Sequence, residues 1–221
     1  MTRRAIKLIT VSREFGAGGG DFAAALGTAL GWPVLDREIV HRVAERVAID
    51  EKTLAHYDEH PPSLRSRIAT VLIMPQPDMF SLPTPVDIPN HDAIAATTTK
   101  VIEEAAQSLP LIVVGHGAQC IFSKRPDAFH VRFIAPVASR VARIAERLKL
   151  DEHAAAATLK RADQDREAYV KRYFHAEWRN PLMYDLQINT QRVSIDDAVQ
   201  LLSCIVSASQ RATESTSHKE S

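Results

Sequence analysis

The chain has 221 residues, 45% of them hydrophobic, and its 27 basic and 27 acidic side chains cancel to a formal net charge of zero. That length suits one domain with a full core, or one domain carrying a sizeable insertion, and the balanced charge offers no global basic field for nucleic acid. Cys120 and Cys204 lie too far apart to suggest a disulfide framework or a metal site, the N-terminal apolar run is too short for a signal peptide, and no stretch approaches the roughly 20 apolar residues that span a bilayer. A cytoplasmic protein with no nucleic-acid or membrane partner is therefore expected.

Residues 6–11 are apolar and β-branched, which predicts a first strand. The strand runs into ITVSREFGAGGGDF (9–22), which holds Gly16, Gly18, Gly19 and Gly20, four of the chain's eight glycines. Phe22, Ala25, Leu26, Ala29 and Leu30 then recur at helical spacing, predicting a helix over 20–30 that stops at Gly31. Residues 33–35 read as a second strand ending at Asp36, which caps a helix to about 48, and a further helical stretch follows over 50–60. Segment 61–91 holds seven of the twelve prolines. Within it 63–74 can form a helix and 75–90 reads as an irregular surface loop, so the segment is an insertion and not a second core. Helices are predicted over 91–109, 136–148, 151–174 and 194–207, and strands over 111–114, 129–134 and 184–189. The polar tail over 209–221 is expected to be disordered. The folded part is expected to be a single domain over 1–208.

Five short apolar strands alternating with helices predict an α/β fold, a parallel sheet covered on both faces. Ligands of such sheets lie beyond the strand C-termini. The candidate site residues are therefore 12–21, Asp36 and Arg37, Gly115 to Gly117, and Asn189 and Thr190. Strand, glycine loop and helix together form a phosphate cradle: glycines let backbone N–H groups approach an anion, and the helix start adds partial positive charge. The dinucleotide fingerprint fits Gly16, Gly18 and Asp36 but meets Asp21 where it needs its third glycine. A P-loop, G-x-x-x-x-G-K-[ST], fits with Arg13 at its first position, Gly18 at its second glycine and Gly19 in place of the lysine. A plain glycine-rich turn is the third reading.

The long helix carries Lys160, Arg161, Asp163, Asp165, Arg166, Lys171 and Arg172. Arg161 and Arg166 are five residues apart, so a bend in the helix would be needed to bring both onto one phosphate. The alternative is a solvated, salt-bridged surface helix. The histidines show no metal-ligand spacing, and Trp32 and Trp178 read as packing residues.

Five segments in order resemble the cytidylate kinase-like family of P-loop nucleoside monophosphate kinases. ITVSREFGAGGG resembles its opening strand and loop, S-R-E-[FY]-G-[SA]-G-G. LGWPVLDREIV resembles its second strand, VVGHGAQCIFSKRPDAFHVRFIAP its G-R-G segment and next strand, RADQDREAYVKRYF its lid, and YDLQINTQRVSIDDAVQLL its last strand and helix. The resemblance spans about 6–206. It implies a three-layer α/β/α P-loop kinase core with a five-stranded parallel sheet, a helical NMP-binding insertion over 50–95 and a lid over 151–176. It implies ATP with Mg²⁺, the ATP phosphates on Gly16, Ala17, Gly18, Gly19, Gly20 and Asp21. Arg161 and Arg166 would stabilise the transferring charge, with Arg13 partly replacing the missing lysine. Asp36, Arg37, Gly115, His116 and Gly117 would face the acceptor, CMP or dCMP. No metal ligand stands out, although Ser12 or Asp21 is placed to contribute one. The chain departs from authentic cytidylate kinases at Gly19, where they have lysine and where relatives in the cytidylate kinase-like group often lack it too; it departs from those relatives at Gly20, where they commonly carry arginine, and at His116, where arginine is expected. Two functions follow from the resemblance: ATP-dependent phosphoryl transfer to a nucleoside monophosphate, or a nucleotide-binding regulatory protein that keeps the fold without the chemistry.

Overall fold

The computed structural model describes residues 4–36, 91–108 and 110–217. The helices expected within 36–74, the proline-rich loop 75–90, nearly all of the expected insertion, and Arg37 lie outside these residues. The described elements run β1 (Leu8–Arg13), α1 (Gly19–Leu30), β2 (Val34–Leu35), α2 (His91–Ser108), β3 (Leu111–Val114), α3 (Ala118–Ile121), β4 (Ala128–Ile134), α4 (Val137–Leu148), α5 (Glu152–Phe174), β5 (Leu186–Asn189) and α6 (Ile195–Ser217). A 3-10 turn, Pro181–Met183, precedes β5.

The five strands form one sheet in the order β2-β3-β1-β4-β5, with every pairing parallel. β1 and β3 are buried on both faces, which is why they read as unbroken apolar runs instead of alternating ones. On one face Ile9, Val11, Ile112, Val131, Phe133 and Ile188 pack against Phe22 and Leu26 of α1 and Ala198, Leu202 and Val206 of α6. On the other face Leu8, Leu111 and Val113 pack against Val101, Ile102 and Ala105 of α2 and against Phe122. This is the expected helix-sheet-helix layering.

The second face turns polar where β1 meets β4. Thr10 and Ser12 lie beside His130 and Arg132 in the parallel register. Thr10 Oγ1 is 2.7 Å from His130 Nδ1, and the Trp178 indole donates to Ser12 Oγ at 2.9 Å. The Arg132 guanidinium lies 4.6 Å from the Trp178 ring centre and also donates to the Trp178 carbonyl. Trp178 is thus a packing residue, as expected, and also a hydrogen-bonding hub. Ser12 belongs to that hub, accepting from Trp178 and lying 3.3 Å from the Tyr184 hydroxyl.

One expectation is corrected. The last helix passes 207 and runs to Ser217, so the polar segment 209–217 is helical and not a disordered tail. The physical reason is Ser209, which is buried, accepts from the Ile6 N–H at 3.0 Å and donates to the Val206 carbonyl at 2.6 Å. A composition that looks like a tail is tied to the start of β1. The long helix shows no break, one of the two routes that would have let Arg161 and Arg166 converge: α5 is one continuous helix, capped by the Asp151 carboxylate at its start and by left-handed His175 at its end.

Candidate active site

β1 is the central strand, and the crevice between its C-terminal end and that of β3 is where the strand order reverses. The glycine loop leaves β1 there. Its backbone is fixed from several directions. The Glu14 N–H donates to the Phe133 carbonyl at 3.0 Å, and the Ala17 N–H closes a turn onto the Glu14 carbonyl at 3.1 Å. The Phe15 N–H donates to Asp163 Oδ1 at 2.7 Å, and Arg140 donates to the Phe15 carbonyl at 3.1 Å. Thr190, just beyond β5, donates to the Ala17 carbonyl at 3.1 Å. Gly18 then adopts φ 78° and serves as the N-cap of α1, a left-handed conformation that glycine takes without Cβ strain. The first bond of α1 runs from the Phe22 N–H to the Gly18 carbonyl. The N–H groups of Gly19, Gly20 and Asp21 therefore have no acceptor inside the helix, which makes this helix start an anion cradle.

Beneath the loop lies a buried ion network. Arg140 Nη1 meets Asp163 Oδ2 at 2.6 Å, with both side chains about 5% exposed. Glu14 lies 3.4 Å from Arg140 and 3.6 Å from Arg132. Asp163 is the joint of this network: its two oxygens hold the loop backbone, Arg140 and, at 3.4 Å, Arg166. The network is enclosed by a third apolar cluster, in which Phe15 packs against Val141 and Ile144 of α4 and Ala155, Leu159 and Ala162 of α5. The long helix is thus fastened to the glycine loop at its middle.

Above the loop opens a cleft of about 730 Å³. The loop from Arg13 to Asp21 forms its floor, Arg143, Arg147 and Lys149 line one wall, and Arg166 lines another. Five cationic residues face three carboxylates, Glu14, Asp21 and Glu146. Arg166 is held over the Phe15 ring at 5.3 Å. Arg143 donates to Thr190 Oγ1 at 2.8 Å and to its carbonyl at 2.7 Å. Arg147 grips Asp21 in a forked pair at 3.0–3.2 Å.

The expected site residues divide clearly. The structure brings Arg13, Gly16, Gly18, Gly19, Gly20, Asp21 and Arg166 to the cleft. Arg161 is exposed on α5 and does not line it. In a straight helix, residues five apart point about 140° away from each other. Asp36 follows β2 and does not line the cleft either. Gly115, His116 and Gly117 follow β3 beside the cleft, with three successive left-handed φ values of 82°, 54° and 67°. Phe174, at the end of α5, occupies the space that a Cβ on Gly117 would need. Burial pushes the Cys120 thiol to about 11 and the Tyr169 hydroxyl to about 12. Neither is an anionic nucleophile near neutrality. Among the described residues no group of three or more His, Cys, Asp or Glu side chains could hold a metal ion.

The cations of α4 were missed from the sequence. The signal was there: Arg143 and Arg147 are four apart, on one helical face, in the element that follows the strand beside β1.

A family model for the cytidylate kinase-like family matches residues 8–192. The chain belongs to the cytidylate kinase-like family. No curated protein matches the chain. Among solved structures, an uncharacterized protein from Eubacterium ventriosum is similar over 90% of this chain and 98% of its own, with a TM-score of 0.66 and 21% identity. A shikimate kinase from Bacteroides thetaiotaomicron is similar over 90% of this chain and 98% of its own, with a TM-score of 0.49 and 12% identity. A gluconokinase from Sinorhizobium meliloti is similar over 99% of this chain and 100% of its own, with a TM-score of 0.49 and 14% identity. At these identities the first likeness speaks for the fold alone, and the other two carry no further argument. Family membership accounts for the glycine loop as the start of a P-loop kinase core and displaces the dinucleotide reading.

Proposed function

We propose that the chain transfers a phosphoryl group from ATP to a nucleoside monophosphate, with CMP or dCMP as acceptor. The observation that carries this reading is the convergence of cations from β1, α4 and α5 on an open helix start in one cleft. Phosphoryl transfer asks little covalent chemistry of a protein. It needs the reactants held in line and the charge on the equatorial oxygens compensated. The ATP phosphates lie on the loop from Gly16 to Asp21, held by its N–H groups other than that of Ala17, which is bonded to the Glu14 carbonyl. Arg166, steadied by Phe15 and Asp163, closes on the transferring group, while Arg143 and Arg147 meet the remaining phosphate charge. Arg161 takes part only if α5 moves. The acceptor lies on the β3 side, toward Asp36, Arg37 and the Gly115-His116-Gly117 segment.

Magnesium fits this cleft as a phosphate-borne ion. Glu146, and Asp21 once released from Arg147, are the cleft carboxylates that would hold it, while Glu14 is engaged with Arg132 and Arg140. When bound, the metal would supply charge neutralisation for the phosphates. Small nucleotides are the proposed partners and the cytoplasm the proposed location. No described helix is long and apolar enough to cross a membrane.

A second reading, a nucleotide-binding regulatory protein without turnover, is favoured by Gly19 and Gly20, which remove the lysine and the hydroxyl of a P-loop, and by the exposed position of Arg161. A coupled assay of ADP release with CMP, dCMP, UMP and AMP, run beside calorimetric ATP binding, separates the two. Turnover with CMP or dCMP above the other acceptors supports the kinase. ATP binding without turnover for any acceptor supports the regulatory protein.

A further inference from the structure

The lysine of a P-loop reaches from the helix start to the terminal phosphates. In this chain that position is Gly19, and its lack of a side chain has a cause different from that of Gly18. Gly18 has a left-handed backbone, but Gly19 is the first residue of α1 and is not among the residues of positive φ. Its backbone would accept any residue. What excludes a side chain there is Arg13: a Cβ on Gly19 would stand 2.6 Å from Arg13 Cβ and 3.1 Å from its Cγ. At Gly20, one residue on, a Cβ would meet nothing within 4 Å. The exclusion is therefore specific to the lysine position. From Gly19 the Arg13 side chain runs across to the loop after β3, and its guanidinium fills the place a Cβ on Gly115 would take.

We propose that Arg13 is the lysine of this P-loop, transposed from the helix start to the strand end. Gly19 is the position left bare for its side chain, and at Gly115, whose left-handed backbone already calls for glycine, the missing Cβ leaves the space in which its guanidinium lies between the donor loop and the 115–117 segment. Arg13 and a lysine at position 19 are alternative occupants of one space. The inference rests on the phosphate reading of the cleft and adds which residue supplies the central charge and why the expected one is absent. The guanidinium is charged at any working pH and presents a fork of donors, so from this place it can bond an oxygen of the donor phosphate and one of the acceptor phosphate together.

Binding of ATP and of inorganic tripolyphosphate, measured by calorimetry with a melting temperature for each protein, tests this. Arg13→Ala is expected to weaken tripolyphosphate binding at least tenfold, the loss typical of a charged hydrogen-bond donor. The double variant Arg13→Gly with Gly19→Lys is expected to recover most of it. Gly19→Ala is expected to lower the melting temperature in the unaltered chain and to leave it unchanged in the Arg13→Gly background, a stability test that does not depend on binding. Unchanged tripolyphosphate binding by a folded Arg13→Ala protein, or equal tolerance of Gly19→Ala in both backgrounds, would overturn the transposition. If the unaltered chain binds ATP and loses it on Arg13→Ala yet turns over no acceptor, the transposition stands and the kinase reading fails. If the unaltered chain binds neither ATP nor tripolyphosphate, the phosphate site and the transposition fall together.

Discussion

Asp163 shows how much one side chain decides here. It is buried, and it holds the Phe15 N–H at 2.7 Å and Arg140 at 2.6 Å. Asp163→Ala takes the closer of two carboxylates from buried Arg140, which keeps Glu14 at 3.4 Å, so a loss approaching the roughly 3–5 kcal/mol of a broken buried pair is expected by chemical denaturation. Asp163→Asn, which keeps one acceptor for the loop, should lose less. The sequence showed Asp163 only as a counter-charge for neighbouring arginines, because its partners are 23 and 148 residues away. His130 gives a pH signature. Burial pulls its pKa below the ordinary value, against the pull of Asp185. The folded chain therefore keeps the ring neutral while the unfolded chain protonates near pH 6.5. Stability is fully present above that pH and falls as acid carries the solution from there down through the lowered folded value. A melting series from pH 7.5 to 5 should show this decline, and His130→Gln should flatten it.

At the scale of elements, periodicity and caps were enough. The apolar runs located β1 and β3, Pro136 and Asp151 marked the starts of α4 and α5, and Gly31 marked the end of α1. What was not legible depends on long-range contact. α3 and the 3-10 turn are too short to show a period, and the reach of α6 to Ser217 depends on the hydrogen bond from Ile6 to Ser209. The consequence is largest for α5, the helix expected to act as a lid. The unbroken α5 is pinned at its middle by Asp163 and at its end by the ring of Phe174 over Gly117. Any closing motion that recruits Arg161 must therefore disturb one of these two contacts. Gly117→Ala tests the second. A Cβ there meets the Phe174 ring on a backbone at φ 67°, and left-handed strain alone costs about 1–2 kcal/mol. Faster amide exchange over the last turns of α5 is expected, with little change over α1.

For the whole molecule, the order of elements gave the architecture, and five motifs in sequence gave the family. Neither gave the chemistry, because the site is assembled from charges on three elements whose mutual distances no spacing records. Arg13 was visible as a cation near the loop, but the reason for Gly19 appears only when its Cβ position meets Arg13. The acceptor remains the least legible part, since Arg37 and the segment expected to bind it lie outside the described residues. The central claim, that this cleft transfers phosphoryl groups, is tested most directly by following the γ-phosphoryl group of labelled ATP onto CMP in the presence of Mg²⁺, in the unaltered chain and in Arg166→Ala. Removing a charge-stabilising donor of this kind typically costs about 10²–10³ in kcat. The account predicts labelled CDP from the unaltered chain and a loss of that order in the variant. No labelled product from an unaltered chain that binds both nucleotides, or equal rates from the two proteins, would contradict it.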